Sequence, residues 1–496
     1  MGFDIFFHAL LGVITSGSFV FVLIGVLLGL CFGIIPGLGG TTALALLIPI
    51  TFSMDSLDAM YLAGGVMGAT SFGGSITAIL LNTPGTAPNA ATTFDGYPLA
   101  QQGRAGEAIG ASATASAMGG LIGLVTLMLF IPLAKEIVLL FGPVEFLLLI
   151  ILGLVAIAVS SRGKLLRGLI AGGFGLIFAF VGVDTVSGHT RFTLETDYLW
   201  DGIPLVPTLT GLFAISQMIE LSLKGGSVVT ERVNIGNLTG LWQGVVAVFK
   251  HWTVLLRGSL IGTIIGAIPG LGGTVASFIA YTSTVQSSRD PSSFGKGNII
   301  GVIAPESANN AKDGGSLVPT VAFGIPGSAE TAVFLGILVL HGIDPGPTLL
   351  LENEREVYGL IIALTLSAVG ASLIGLLTAR WLVKITFVNV NILVPLVVTI
   401  SLTGVYVLEG KPGDVILALV MGIVGYLMIR FDYPRLTLVI ALVLGETAER
   451  SFHQSLMISD YNIVGLITER PQAVFLVFAT LLTLLLPALR KRKKLN

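Results

Sequence analysis

Gly33-Ile34-Ile35-Pro36-Gly37-Leu38-Gly39-Gly40-Thr41 returns 233 positions later as Gly266-Ala267-Ile268-Pro269-Gly270-Leu271-Gly272-Gly273-Thr274, with one of nine residues changed. A second pair follows each copy. Gly73-Gly74-Ser75 recurs as Gly314-Gly315-Ser316, and Pro84-Gly85-Thr86-Ala87 as Pro326-Gly327-Ser328-Ala329, at offsets of 241 and 242. Three matches in one order with so little drift make the chain a duplicated unit. Each copy of the first motif should also interrupt a helix. Proline lacks an amide hydrogen and obstructs the turn before it, and the glycines after it open backbone angles closed to other residues.

The sequence around these motifs belongs to a membrane protein. Of its 496 residues 53% are hydrophobic and only 11% charged, with a mean hydropathy of +0.93. A water-facing surface needs about 25% charge. Apolar runs recur throughout, among them Phe19–Ile35, Met118–Ala134, Leu360–Leu382 and Ala473–Leu489. At roughly 20 apolar residues per crossing they predict about ten to twelve transmembrane helices. Long unbroken runs exclude a barrel, whose strands would alternate, so the fold class is an all-α polytopic membrane protein. Its two homologous repeats are expected to be inverted, as is common in secondary transporters with broken helices. The division expected is a first repeat over 1–223, a polar linker over 224–250 (with Gly225, Gly226, Glu231, Arg232, Asn234 and Asn237), a second repeat over 251–471, and a last helix with a basic tail over 472–496.

Lys/Arg bias sets orientation. Arg490, Lys491, Arg492, Lys493 and Lys494 predict a cytoplasmic C-terminus, and Arg162, Lys164 and Arg167 a cytoplasmic turn. The polar loop from Asp184 to Asp201 then falls on the opposite side. The first apolar run has no basic residue before it, so the first helix is expected to stay in place instead of being cleaved. Cys31 is the only cysteine, which removes disulfides and cysteine-based metal sites within the chain. No basic stripe with interleaved aromatics points to nucleic acid.

Irregular backbone inside a bilayer is tolerated only where protein buries it or where it lines a wet cavity. Past each break a helix restarts, and its first amides carry a partial positive charge suited to a carboxylate. Gly37, Gly39, Gly40, Thr41 and Thr42, with Gly270, Gly272, Gly273 and Thr274, are therefore the expected substrate-binding residues, needing no lysine or arginine. The second motifs look like the tips of short re-entrant segments, Ser71–Leu81 and Ser316–Phe323. Asn82, Thr83, Thr86, Gly327 and Ser328 supply hydrogen bonds there. Ser75, Pro84, Asn309, Asn310, Ser316 and Pro326 are the expected oxygen ligands of a co-transported Na⁺, a hard ion that prefers oxygen. Small-residue helix packing is the competing explanation for a single glycine motif, but proline-led duplication in register favours a site. Glu306, Lys312 and Asp313 are read either as caps at helix ends or as cavity groups, since charge within a membrane is costly. His341 is read as marking the loop that ends a helix.

Together, Ile35–Thr41, Gly73–Thr86, Ala304-Pro305-Glu306-Ser307-Ala308-Asn309-Asn310, Phe323–Ser328 and His341-Gly342-Ile343-Asp344-Pro345-Gly346-Pro347 resemble the large permease subunit of the tripartite tricarboxylate transporters, the TctA family. The resemblance runs from about Gly17 to Pro471. It implies uptake of a carboxylate solute, citrate-like or another organic acid, across the bacterial inner membrane, driven by Na⁺ or H⁺ with no other cofactor. It also implies two partners, a small TctB-like membrane subunit and a periplasmic TctC-like solute-binding protein. Lys312-Asp313 departs from the small uncharged residues expected at that place. Two other readings stay open: a stand-alone organic-anion carrier and an intramembrane enzyme. Against an enzyme, the sequence has no His-Glu-x-x-His, no Gly-x-Ser-x-Gly and no histidine pair with metal-ligand spacing.

Overall fold

Pro36 and Pro269 break the chain as their local chemistry requires. In the computed structural model, which describes residues 11, 13, 17–160, 165–184, 188–224 and 240–492, α1 (Phe19–Ile34) stops two residues before Pro36 and α2 (Gly39–Thr51) begins beyond it. After α2 come α3 (Ser56–Leu81), α4 (Ala90–Gln101), α5 (Ala105–Leu139), α6 (Pro143–Ser160), α7 (Leu165–Ala179) and α8 (Leu205–Lys224). α9 (Leu241–Lys250) and α10 (Trp252–Gly266) lead into the second break, and α11 (Gly272–Ser287), α12 (Ile300–Phe323) and α13 (Ala329–Leu340) follow it. The remainder is α14 (Pro347–Glu352), α15 (Glu354–Leu382), α16 (Val390–Glu409), α17 (Pro412–Arg430), α18 (Arg435–Ile458), α19 (Ile463–Glu469) and α20 (Pro471–Arg492). Among the described residues the strands are one two-residue pair, β1 (Gly182–Val183) antiparallel to β2 (Thr190–Arg191). Arg191 fastens this loop to α18 through Glu449, at 2.6 and 2.9 Å.

The all-α polytopic architecture stands. Among the described residues, six helices are long and apolar enough to span a bilayer, or eight if two sharply bent pairs each count as one span. Five more apolar helices are shorter, α1 and α2 among them, because the proline–glycine breaks cut them short. α12 has the length but carries Glu306, Lys312 and Asp313. Part of the expected linker is also helical, since α9 occupies 241–250 and meets α10 at a bend of 79°. The linker residues Gly225, Gly226, Glu231, Arg232, Asn234 and Asn237, the turn residues Arg162 and Lys164, and Lys493 and Lys494 of the tail lie outside the described residues.

Glycine stripes set the geometry around both breaks. On α1, Gly25, Gly29 and Gly33 face α3 so closely that a Cβ on Gly29 would lie 2.6 Å from the Val66 carbonyl oxygen. On α10, Gly258, Gly262 and Gly266 face α12 in the same way, and a Cβ on Gly266 would lie 2.5 Å from the Lys312 carbonyl oxygen. Small residues every fourth position let two membrane helices bring their backbones together. These contacts correct one register. Gly73 meets the backbone of Leu30 and Gly315 that of Thr263, while Gly85 approaches the Gly74 Cα and Gly327 the Ser316 Cα. Gly73 therefore corresponds to Gly315, and Gly74 to Ser316, at the offset of 242 already set by Pro84 and Pro326. The Gly-Gly-Ser match at 241 is one residue out of step, because Gly-Gly can be laid on Gly-Gly by letter while the packing tracks the helix face.

A second correction concerns the expected re-entrant stretches. Ser71–Leu81 is the last part of the 26-residue α3, and Ser316–Phe323 the last part of the 24-residue α12. Helix continues through both because small residues let α3 and α12 run between close neighbours, and nearly every residue of each is buried. Both helices end in a left-handed cap, Asn82 at φ 53° and Gly324 at φ 70°, and the Pro-Gly turns follow at once.

Candidate functional site

The two breaks and the two Pro-Gly turns converge. Gly37 donates its amide to the Gly85 carbonyl at 3.3 Å, and Gly270 donates to the Gly327 carbonyl at 3.3 Å. Each half thus ties its broken helix to its own turn by the same bond. Across the halves, a Cβ on Gly40 would touch Glu330 at 3.2 Å, and one on Gly273 would touch Pro88 at 3.0 Å. The start of each restarted helix therefore faces the turn of the other half.

Between them lies a cavity of about 450 Å³. Of the expected substrate residues, Gly37, Gly39, Gly40, Thr41 and Thr86 line it from the first half, and Gly270, Gly272, Gly273, Thr274 and Ser328 from the second. Thr42 is buried away from it, 4% exposed. Asn82 caps α3, and Thr83 turns its hydroxyl back to the Leu81 carbonyl. Gly327 is buried in the turn, where its amide meets the Thr320 hydroxyl at 3.4 Å. Ser328 also starts α13 through a reciprocal cap with Thr331, and in the corresponding place Thr86 bonds Asn89.

The expected cation ligands scatter. Pro84 lines the cavity, whereas Pro326 is buried in its turn. Ser75 donates to Glu306 at 2.6 Å, and Ser316 donates to the Asp313 carbonyl of its own helix. Asn309 is 1% exposed, and neither its Oδ1 nor its Nδ2 has a partner. Asn310 gives its Nδ2 to the Gly68 carbonyl at 3.4 Å, and its Oδ1 has no partner.

Two charged residues outside the expected substrate set also reach the cavity. Lys312 and Glu330 both line it, so a basic side chain is present where backbone amides alone were expected. Lys312 Nζ lies 2.6 Å from Asp313 Oδ1 and 2.5 Å from Glu330 Oε2. Neither Lys312 nor Asp313 caps a helix end, and nor does Glu306; all three are buried within α12. The 242 offset carries the signal that was missed. It sets Lys312 against Thr70, whose backbone carries the same close glycine contact in the first half, so Lys312 stands at a repeat-matched place beside the break. His341 does end a helix, as the cap of α13.

A leucine at Gly40 or Gly273 would project into this cavity and displace Glu330 or Lys312. Gly40→Leu and Gly273→Leu are each expected to reduce uptake to background while the protein still inserts, measured by transport and by membrane-fraction yield. Wild-type kinetics in both would remove the cavity from the transport path.

The family model described as "Tripartite tricarboxylate transporter TctA family" matches residues 19–440. Two proteins of Agrobacterium vitis are similar over most of their own length. One, an "Uncharacterized 52.8 kDa protein in TAR-I ttuC' 3'region", is 32% identical over 97% of this chain and 95% of its own. The other, an "Uncharacterized protein in TAR-II ttuC' 3'region", is 31% identical over 47% of this chain and 97% of its own. No solved structure matches. With the family model covering both broken-helix motifs and the cavity between them, the chain belongs to the tripartite tricarboxylate transporter TctA family and is a multi-pass permease subunit.

Proposed function

We propose that this permease carries a carboxylate-bearing solute, citrate-like or another organic acid, across the bacterial inner membrane with its C-terminus in the cytoplasm. A cation gradient, Na⁺ in the first place, drives it. A periplasmic solute-binding protein delivers the substrate and a small membrane subunit completes the complex. The carrying observation is the cavity where α2 and α11 begin on opposite sides with Lys312 between them. Helix starts and a lysine are both donors to a carboxylate. Glu330 already occupies Lys312 and lies against Gly40, so a substrate carboxylate would enter by replacing Glu330 on the lysine. The charge of the site favours cation coupling. Lys312 with Asp313 and Glu330 sums to one negative charge, so loading an anion is easier when a cation enters too.

The test is uptake of radiolabelled citrate, and of dicarboxylates and monocarboxylates in parallel, by proteoliposomes holding the three-subunit complex. Uptake of at least one carboxylate should require an inward Na⁺ gradient and should fall to background without the binding protein. Full uptake with Na⁺ removed and only a proton gradient left would overturn Na⁺ coupling.

A further inference from the structure

Glu306 is fully buried in the middle of α12, and its partners are hydroxyls from three other helices. Oε2 accepts from Ser75 of α3 at 2.6 Å and from Ser112 and Ser116 of α5 at 3.0 Å each. Oε1 accepts from Thr92 of α4. Among the described residues no lysine, arginine or histidine pairs with it. A buried carboxylate without a positive partner is costly in a membrane domain, and four donated hydrogen bonds lessen that cost without cancelling the charge.

We infer that Glu306, with the hydroxyl oxygens of Ser75, Thr92, Ser112 and Ser116, is a binding site for one Na⁺-type alkali cation. Hard monovalent cations take oxygen ligands, and one carboxylate among neutral hydroxyls makes the filled site electrically neutral. Each hydroxyl lies within hydrogen-bond reach of the carboxylate, and Ser75 also reaches the Ser71 carbonyl at 3.1 Å. Rotation about a single Cβ–O bond turns a lone pair toward an entering ion instead, so no helix has to move for the ligand type to change. A further feature points the same way. Ser75 also ties the carboxylate to the substrate cavity. It accepts from Asn89 Nδ2 at 2.8 Å, and Asn89 Oδ1 accepts from Thr86, which lines the cavity. A cation that turns Ser75 thereby changes the hydrogen bonding of a cavity residue.

The inference rests on reading the chain as a cation-coupled permease, and it is tested without transport. The purified detergent-solubilised protein should unfold at a higher temperature in NaCl than in choline chloride at equal ionic strength, with a saturable Na⁺ dependence. Glu306→Gln, which keeps the side-chain shape, should abolish that shift. Ser116→Ala should raise the half-saturating Na⁺ concentration roughly tenfold, the loss of one ligand oxygen, and it decides the matter if Glu306→Gln does not fold. No Na⁺-specific shift in the wild type overturns the site, as does a shift undiminished in Glu306→Gln or a half-saturating concentration unchanged in Ser116→Ala. Because the readout needs neither substrate nor partner subunits, an intact Na⁺ shift beside failed carboxylate uptake counts against the proposed substrate alone.

Discussion

Lys312→Met is expected to abolish uptake and to destabilise the protein, the largest single-residue effect at the cavity. The lysine side chain is 3% exposed and its two carboxylate partners are 6% and 21% exposed. Removing it leaves Asp313 and Glu330 facing each other with no cation between them. Breaking a buried ion pair from one side costs about 3–5 kcal/mol, and the partial exposure of Glu330 places this case near the lower end. Transport should fall roughly 100-fold or more, as truncating one member of a buried charge pair does in binding. The double variant Lys312→Met/Glu330→Gln removes one of the two stranded charges. It should recover part of the unfolding temperature without recovering uptake. Wild-type uptake in Lys312→Met would show that the lysine takes no part in transport, and equal instability in the single and double variants would show that stranded charge is not the cause.

The second large effect is expected from a single added methyl group at the Pro-Gly turns. A Cβ on Gly327 would lie 2.6 Å from both the Gly266 carbonyl oxygen and the Ser316 Cα. One on Gly85 would lie 2.5 Å from the Gly74 Cα and would also strike the Gly33 carbonyl. Backbone presses from two sides, so no rotamer change relieves the clash. Gly85→Ala and Gly327→Ala should therefore separate each turn from its broken helix, breaking the Gly37–Gly85 or Gly270–Gly327 bond and opening the cavity wall. Overpacking of this kind costs about 1–3 kcal/mol or more, and uptake should be lost with it. Gly173→Ala is the control, since a Cβ there meets nothing within 4 Å, and its effect should stay within about 0.5 kcal/mol. Thermal unfolding beside uptake separates the cases. Turn variants as stable and active as Gly173→Ala would show that the close approach is not required.

Much of the molecule could be read from residue order. Apolar runs too long for a soluble core and a charge content too low for a water-facing surface specify a helical membrane protein. Pro36 and Pro269 specify where two helices break, because a missing amide hydrogen is a local fact about one residue. The same reasoning brought ten of the fourteen expected substrate residues to one cavity. It failed where a residue's surroundings depend on a neighbouring helix. Thr42 has the same composition cues as Thr41, yet the helix turns one to the cavity and the other away from it.

The charged residues of α12 mark that boundary most sharply. Their presence beside the second motif is visible in the sequence, and their purpose is not. Glu306 gains its hydroxyl shell from residues 190 to 231 positions away, and Lys312 reaches Glu330 only because the Pro326-Gly327 turn folds α13 back toward α12. Even the repeat needed the packing, since the glycine contacts set the offset at 242 where matching letters gave 241. Length, apolarity and helix breaking are carried by each segment's own residues, so the order of residues determined that this is a duplicated helical permease with two broken helices. Partners for buried charge come from whichever helices close packing brings alongside, so the cavity's lysine and the hydroxyl-lined carboxylate emerged only once the helices were assembled.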